Sequence, residues 1–199
     1  MAAPKTLLDH SNAKLPIHSL DQGLVVIVDA QTEYREGRLP LDGIDAAAAE
    51  VAKLLAAARK AGTPIVHIKQ MGRPDGLFDP ATFGAFLPEA MPLVGETVID
   101  KRKPNSFAGT DLETVYRASG RQGIILAGFM THMCVSATAR CALDLDIPVT
   151  LVAKATASRD LPAIGGGVVP AKVLHEAELA ALADRFVSIA QTVDDLTQA

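Results

Sequence analysis

The chain predicts a three-layer α/β/α fold around a doubly wound, mainly parallel sheet, and three observations carry that expectation. Short β-branched runs such as Leu24-Val25-Val26-Ile27-Val28 are apolar without alternation, as strands covered on both faces are. The stretches between them carry apolar residues at helical spacing, bounded by Gly and Pro. Strand and helix patterns then alternate along the chain, with no internal repeat, linker or low-complexity segment to divide it. At 199 residues, of which 49% are hydrophobic, the chain is long enough for one domain, taken as residues 1–199 with an N-terminal extension over 1–20. A core of that size buries roughly 70% of the unfolded surface.

The first strand, residues 24–28, ends at Asp29. Asp42 is placed to cap the following helix, residues 46–61, where Val51, Leu54, Leu55 and Ala58 recur at helical spacing before Gly62 stops it and Pro64 blocks its continuation. Residues 65–68 and 97–100 are the next strands, and the turn-rich segment 71–95 between them is read as an excursion over the sheet's edge or top. Thr110 or Asp111 opens a helix through Arg117, Gly120 and Gly123 bracket a turn, and the strand 124–127 leads into a helix at whose start Cys134 lies. A strand at 148–152, a helix at 171–184 and a strand at 186–189 bring the expected total to five or six strands.

Composition removes several function classes. With 19 Lys plus Arg against 23 Asp plus Glu, the net charge is −4, and no basic block or aromatic ladder points to nucleic acid. No run approaches a membrane span and the first 18 residues hold no apolar leader, so a cytoplasmic protein without membrane contact is expected. Cys134 and Cys141 are seven apart on one expected helix, roughly 10 Å at about 1.5 Å per residue, too far to bridge each other. Two such thiols suit a reducing compartment.

Cys134 follows Gly128-Phe129-Met130-Thr131-His132-Met133 at a strand-to-helix junction. Unpartnered amides and the positive end of a helix dipole favour thiolate there. In a doubly wound sheet, groups at the carboxyl ends of strands converge where strand order reverses. Asp29, Lys103 (within Lys101-Arg102-Lys103-Pro104-Asn105-Ser106-Phe107) and Cys134 all occupy such ends. A carboxylate can take the thiol proton and return it to a leaving amine, while an ammonium steadies both anions.

Three motifs resemble those of the isochorismatase-like cysteine hydrolases, a likeness covering nearly the whole chain after residue 20. They are Val28-Asp29-Ala30-Gln31, similar to Asp-x-Gln; Lys103-Pro104-Asn105-Ser106-Phe107, similar to Lys-x-x-x-Ser/Ala-x-Phe; and Gly128 to Val135, similar to Gly-x-x-Thr-x-x-Cys-Val. The resemblance implies a six-stranded parallel sheet and a triad on Asp29, Lys103 and Cys134, selecting Lys103 over Lys101 because it precedes Pro104. It also implies a cis peptide at Phe129-Met130, an oxyanion hole on the amides of Met130 and Cys134, and a homodimer or homotetramer. Gln31 and Phe107 are candidates to line the substrate pocket, one through its amide and the other as an apolar wall.

Departures from the family narrow the activity. Nicotinamide-acting members carry an Asp/His metal cluster, whereas His10, His18, His67, His132 and His175 are scattered here, so neither metal nor cofactor is expected. Vinyl-ether hydrolysing members typically lack the cysteine; its presence favours acyl chemistry. The expected function is metal-independent hydrolysis of an amide or carbamoyl C–N bond in a small molecule through a thioester. The alternatives are vinyl-ether hydrolysis with Asp29 as general acid, and a non-catalytic thiol redox or binding protein. Thr131 is expected to lock the turn, His67 to be a core histidine, His132 to serve the surface or structure, and Gly165-Gly166-Gly167 to be a lid or plain loop without a phosphate-cradling pattern.

Overall fold

The computed structural model of the chain describes residues 3–197. Its strands are β1 (Gly23–Val28), β2 (Ile65–Gln70), β3 (Thr97–Lys101), β4 (Gly123–Phe129), β5 (Val149–Ala157), β6 (Leu161–Pro162), β7 (Val168–Val169) and β8 (Ser188–Ala190). Six of them form one sheet in the order β3-β2-β1-β4-β5-β8, all parallel, while β6 and β7 pair as a separate antiparallel hairpin. The helices are α1 (Leu7–His10), α2 (Ile44–Ala61), α3 (Leu112–Ser119), α4 (Ser136–Asp144) and α5 (Ala171–Arg185).

The absence of alternation in β1 has a direct structural cause. Val25 and Ile27 join one core with Val51, Leu54, Leu55 and Ala58 of α2, whereas Leu24, Val26 and Val28 join a second core with Leu112, Ala139, Ala142 and Leu182 of α3, α4 and α5. Both faces of the strand are therefore dry, which favours Val and Ile at every position. Strand order runs outward from β1 through β2 to β3 on one side and from β4 through β5 to β8 on the other. The switch point lies between β1 and β4, whose registers match from Gly23–Gly123 to Val28–Gly128. At that closest point Gly128 adopts φ 112, and a Cβ there would collide with the Val28 carbonyl oxygen, so a side chain would force the two strand exits apart.

Several element ends differ from expectation. Asp42 does not cap α2: Gly43, with φ 70, holds the N-cap position without a side-chain bond, and the Asp42 amide donates to the Ser158 carbonyl instead (3.0 Å). Gly62 ends α2 in the left-handed region, as its position suggested. β5 runs on to Ala157 because its pairing with β4 is irregular, Leu126 facing Leu151 but Gly128 facing Thr156. The last strand starts at Ser188 because the Phe186 amide still donates to Leu182 at the end of α5 (2.8 Å).

The segment 71–95 is laced to the chain leaving β1. The amides of Thr32, Glu33 and Leu87 donate to Ala85, Phe83 and Ala30 at 2.9, 2.9 and 2.8 Å, and the buried Glu33 carboxylate accepts from the Phe78 amide at 2.8 Å. The glycines at 165–167 lie in the β6–β7 hairpin, where Ile164 and Val168 are exposed.

Candidate active site

Three chain segments reach the switch point and deliver three ionisable groups. Asp29 is the residue after β1, fully buried and in the left-handed region at φ 49, a conformation that Asp tolerates better than most residues. Lys101 closes β3, and its Nζ lies 2.7 Å from Asp29 Oδ2 and 3.4 Å from Cys134 Sγ, with the lysine side chain as fully buried as the carboxylate. Cys134 sits in a π-helical turn, Thr131–Val135, between β4 and α4 and is 6% exposed. Asp29, Lys101 and Cys134 thus form one contiguous cluster.

This corrects the assignment of the cation. Lys103 is exposed, and its only part in the cluster is its backbone carbonyl, which accepts from Lys101 Nζ at 3.1 Å. The reason is where the strand ends: β3 extends through residue 101, so Lys101 falls on the inward side with Ile99, whereas Lys103 lies past the strand end. The Lys103 side chain lines an open cavity of about 320 Å³ with Met71, Asp100, Arg102, Ala108 and Gly109. The signal was present in the motif, because Lys-x-x-x-Ser/Ala-x-Phe places its lysine six residues before the phenylalanine. Counting back from Phe107 reaches Lys101, with Asn105 standing at the Ser/Ala position.

Gln31 also proves to have another job. Its side chain is fully buried, its oxygen accepts from the Gln70 amide at 2.8 Å, and its nitrogen donates to the carbonyls of Gln70 (3.1 Å) and Gly84 (2.9 Å). Both amide protons are spent on backbone, so Gln31 does not read a substrate in this arrangement. Phe107 is half-buried and packs against the same core that contains Cys134. The Phe129–Met130 peptide bond is cis. Thr131 is fully buried, its hydroxyl 2.9 Å from His175 Nδ1, an arrangement that ties the turn to α5. His132 Nδ1 lies 3.1 Å from the Ser158 hydroxyl. His67 is fully buried, 2.8 Å from Glu96, as a core histidine would be.

Sequence reasoning missed Tyr34 and Gln70. Tyr34 is buried, packed edge-on against Phe78 and Phe129 at 5.3 and 5.9 Å. Its hydroxyl is held well above the usual phenol range by burial and then by the negative charges of Asp29 and Cys134. Gln70 ends β2, and its side-chain oxygen accepts from Lys101 Nζ at 2.7 Å. Neither carries a sequence signal beyond its nearness to a strand exit.

The electrostatics reverse the expectation of a ready-made thiolate. Burial pushes Cys134 up to about 12, the Asp29 charge adds to that, and Lys101 only partly opposes it. Burial also raises Asp29 to about 6, against the pull of Lys101 and of the thiol hydrogen bond. The resting site is therefore a protonated thiol beside a carboxylate that ionises near neutrality. Such a pair is suited to moving one proton between sulfur and carboxylate as chemistry proceeds.

Comparison with known proteins agrees with this architecture. The family model of the isochorismatase domain matches residues 23–194. A crystal structure of an isochorismatase from Pseudomonas putida KT2440 superposes with a TM-score of 0.93 at 41% identity, covering 96% of this chain and 99% of that one. The secreted isochorismatase effector Isc1 of Verticillium dahliae is 36% identical over 88% of this chain and 91% of its own length. Streptothricin hydrolase of Streptomyces noursei is 34% identical over 80% of this chain and 59% of its own, and maleamate amidohydrolase of Pseudomonas putida 29% over 58% and 62%.

Proposed function

The chain belongs to the isochorismatase family, and from that premise we propose that it hydrolyses the C–N bond of a small amide or carbamoyl compound through a thioester on Cys134. The observation that carries this reading is the Lys101 ammonium 2.7 Å from Asp29 and 3.4 Å from the Cys134 sulfur. A relative named as an amidohydrolase, maleamate amidohydrolase, supports it, as does one named as a hydrolase, streptothricin hydrolase.

In the proposed reaction the Asp29 carboxylate accepts the thiol proton as the sulfur bonds to the substrate carbonyl carbon. The resulting oxyanion rests on the backbone amides of Met130 and Cys134. Collapse breaks the C–N bond, and Asp29 returns the proton to the departing nitrogen. Asp29 then takes a proton from water as the hydroxyl attacks the thioester, which frees the acid and, with that proton, the thiol. The Lys101 side chain, in contact with both, steadies whichever partner is anionic. Phe107 supplies an apolar wall.

A second reading has one observation in its favour: with its pKa raised to about 6, Asp29 can be protonated and serve as a general acid toward a vinyl ether. A thiol held up to about 12 and 6% exposed suits turnover better than a peroxide sensor, which needs an accessible thiolate. Two unbonded cysteines fit the cytoplasm, although the Verticillium relative is named a secreted protein. Among the described residues no helix is long and apolar enough to cross a membrane. The assembly we propose is a homodimer or homotetramer.

The deciding experiment is intact-mass trapping of an acyl adduct during a screen of small amides and carbamoyl compounds, with Cys134→Ala alongside. The wild-type chain gains the acyl mass on Cys134, and the variant folds but loses at least about a thousandfold in kcat. Amide hydrolysis surviving in Cys134→Ala would reject nucleophilic catalysis, and surviving vinyl-ether hydrolysis in that variant would establish the second reading.

A further inference from the structure

We propose that Gln70 is a positioning residue of this site, holding the Lys101 ammonium between the Asp29 carboxylate and the Cys134 sulfur so that the carboxylate keeps its capacity to take a proton. Four acceptors crowd Lys101 Nζ: Asp29 Oδ2 at 2.7 Å, Gln70 Oε1 at 2.7 Å, the Lys103 carbonyl at 3.1 Å and Cys134 Sγ at 3.4 Å. An ammonium has only three protons to share among them. Two of the four, the amide and the carbonyl, are neutral; they satisfy the cation without adding charge.

Without the Gln70 oxygen, the buried ammonium would lose one of its two closest partners. Coulomb attraction is strongest toward the full charge of Asp29, already 2.7 Å away, so the freed N–H would turn to that carboxylate and away from the thiol, which is the longest of the four contacts. A carboxylate paired that tightly is a poor base, and a sulfur without its ammonium is a poor anion. Gln70 therefore acts through Lys101 and not on substrate.

The position of Gln70 is itself built. Gln31, two residues after Asp29, grips both backbone polar groups of Gln70, accepting from its amide at 2.8 Å and donating to its carbonyl at 3.1 Å. The exit of β1, which carries the base, and the exit of β2, which carries the acceptor for the lysine, are thereby joined through one buried amide. This gives Gln31, displaced from substrate binding by its own hydrogen bonds, a place in the same device.

The test needs no knowledge of the substrate, because the rate of Cys134 alkylation by iodoacetamide reports directly on the thiol; peptide mapping excludes Cys141. Gln70→Leu keeps the bulk and removes the acceptor. Its alkylation rate at neutral pH should fall about tenfold and its pH profile should move to higher pH. An unchanged rate and profile would overturn the proposal. Should Gln70→Leu fail to give a cooperative melt, Gln70→Asn, whose amide is one methylene short of the ammonium, gives the same readout. The kinetic arm alone rests on the hydrolase reading: with an amide substrate, kcat should fall by a similar factor while KM stays within about twofold. A loss confined to KM would make Gln70 a substrate contact and overturn the positioning role. If alkylation slows as expected but even the wild-type chain turns over no amide, the positioning role stands and the hydrolase reading falls.

Discussion

A buried ionic cluster and a half-buried one sit at opposite ends of β3, and their carboxylates have been driven in opposite directions. At the exit of the strand, Asp29 is raised to about 6. At its entrance, Glu96 is pulled down to about 2. Burial pushes both upward and is the largest single influence on each. What differs is the supply of donors. Glu96 accepts from Arg59 through both oxygens (2.7 and 3.0 Å), from the Leu93 amide (2.9 Å) and meets His67 Nε2 at 2.8 Å. Asp29 faces one ammonium, shared with three other acceptors, and one thiol. A carboxylate whose lone pairs are all engaged is a structural anchor, whereas one left short of donors keeps an appetite for a proton.

The sharpest way to break the comparison is to remove the cation from the reactive cluster. Lys101→Met leaves Asp29 buried without a counterion, so the proton should stay on the carboxylate and kcat should fall about a thousandfold or more. Lys103→Met, two residues away and exposed, should remain within about twofold of wild type. Steady-state rates for the two variants decide which lysine serves the site; equal losses would undo the assignment to Lys101.

The matching change at the other cluster should separate stability from chemistry. Glu96→Gln removes the charge that pairs with Arg59 and leaves a buried His67 with a weaker partner. Urea unfolding should show a loss of about 1–2 kcal/mol, between the scales of an exposed and a buried pair, because Arg59 and Glu96 are half-buried. The rate per folded molecule should change little, since Glu96 precedes β3 and Lys101 ends it. A large drop in kcat with unchanged stability would mean that the entrance cluster also reaches the reaction.

The two carboxylates also show what the sequence makes legible. Asp29 and Cys134 could be found because each directly follows or closely trails an unmistakable apolar run, and a strand end is a local property. The choice between Lys101 and Lys103 depended on where β3 stops: the apolar pattern ends at residue 100, whereas the strand runs one residue further and keeps Lys101 on the inward side with Ile99. Gln31 was visible as a motif residue, but whether an amide turns to substrate or to backbone is decided by Gln70 and Gly84, 39 and 53 residues along the chain. Tyr34 depends on Phe78 and Phe129 in the same way. The segment 71–95 and the glycines at 165–167 illustrate the same limit: the first read as turn-rich and the second as a lid or plain loop, yet one is stitched to the β1 exit through backbone bonds and the other lies in a hairpin with exposed Ile164.

In the catalytic direction the raised carboxylate sets the acid limb of activity. The base form of Asp29 is required, so kcat/KM should climb as pH rises through about 6 and flatten above it, with no alkaline limb from a thiol held up to about 12. A midpoint near the ordinary carboxylate value would show that burial does not govern this group. Lys101→Arg, which keeps the charge but redistributes the donors, should move that midpoint while sparing part of the rate.

The smallest expected effect is on stability as a function of pH, where the clusters should pull against each other. The folded state binds a proton at Asp29 more tightly than the unfolded chain does, about 6 against 3.8, so the stability contributed by protonated Asp29 is fully present below 3.8 and is lost as pH rises through about 6. For Glu96 the sign is opposite: its contribution is present above the ordinary value of 4.5 and drains as pH falls toward about 2. Together they place the best stability from these two groups between the windows, near pH 4 to 5, below the pH at which the base is ready. Asp29→Asn should flatten the decline on the alkaline side, worth about 3 kcal/mol at most, and leave the acid edge where it was. Glu96→Gln should do the reverse. Melting curves for both variants across that range would expose a shared cause if either substitution altered both edges, and the two carboxylates would then belong to one coupled network instead of two.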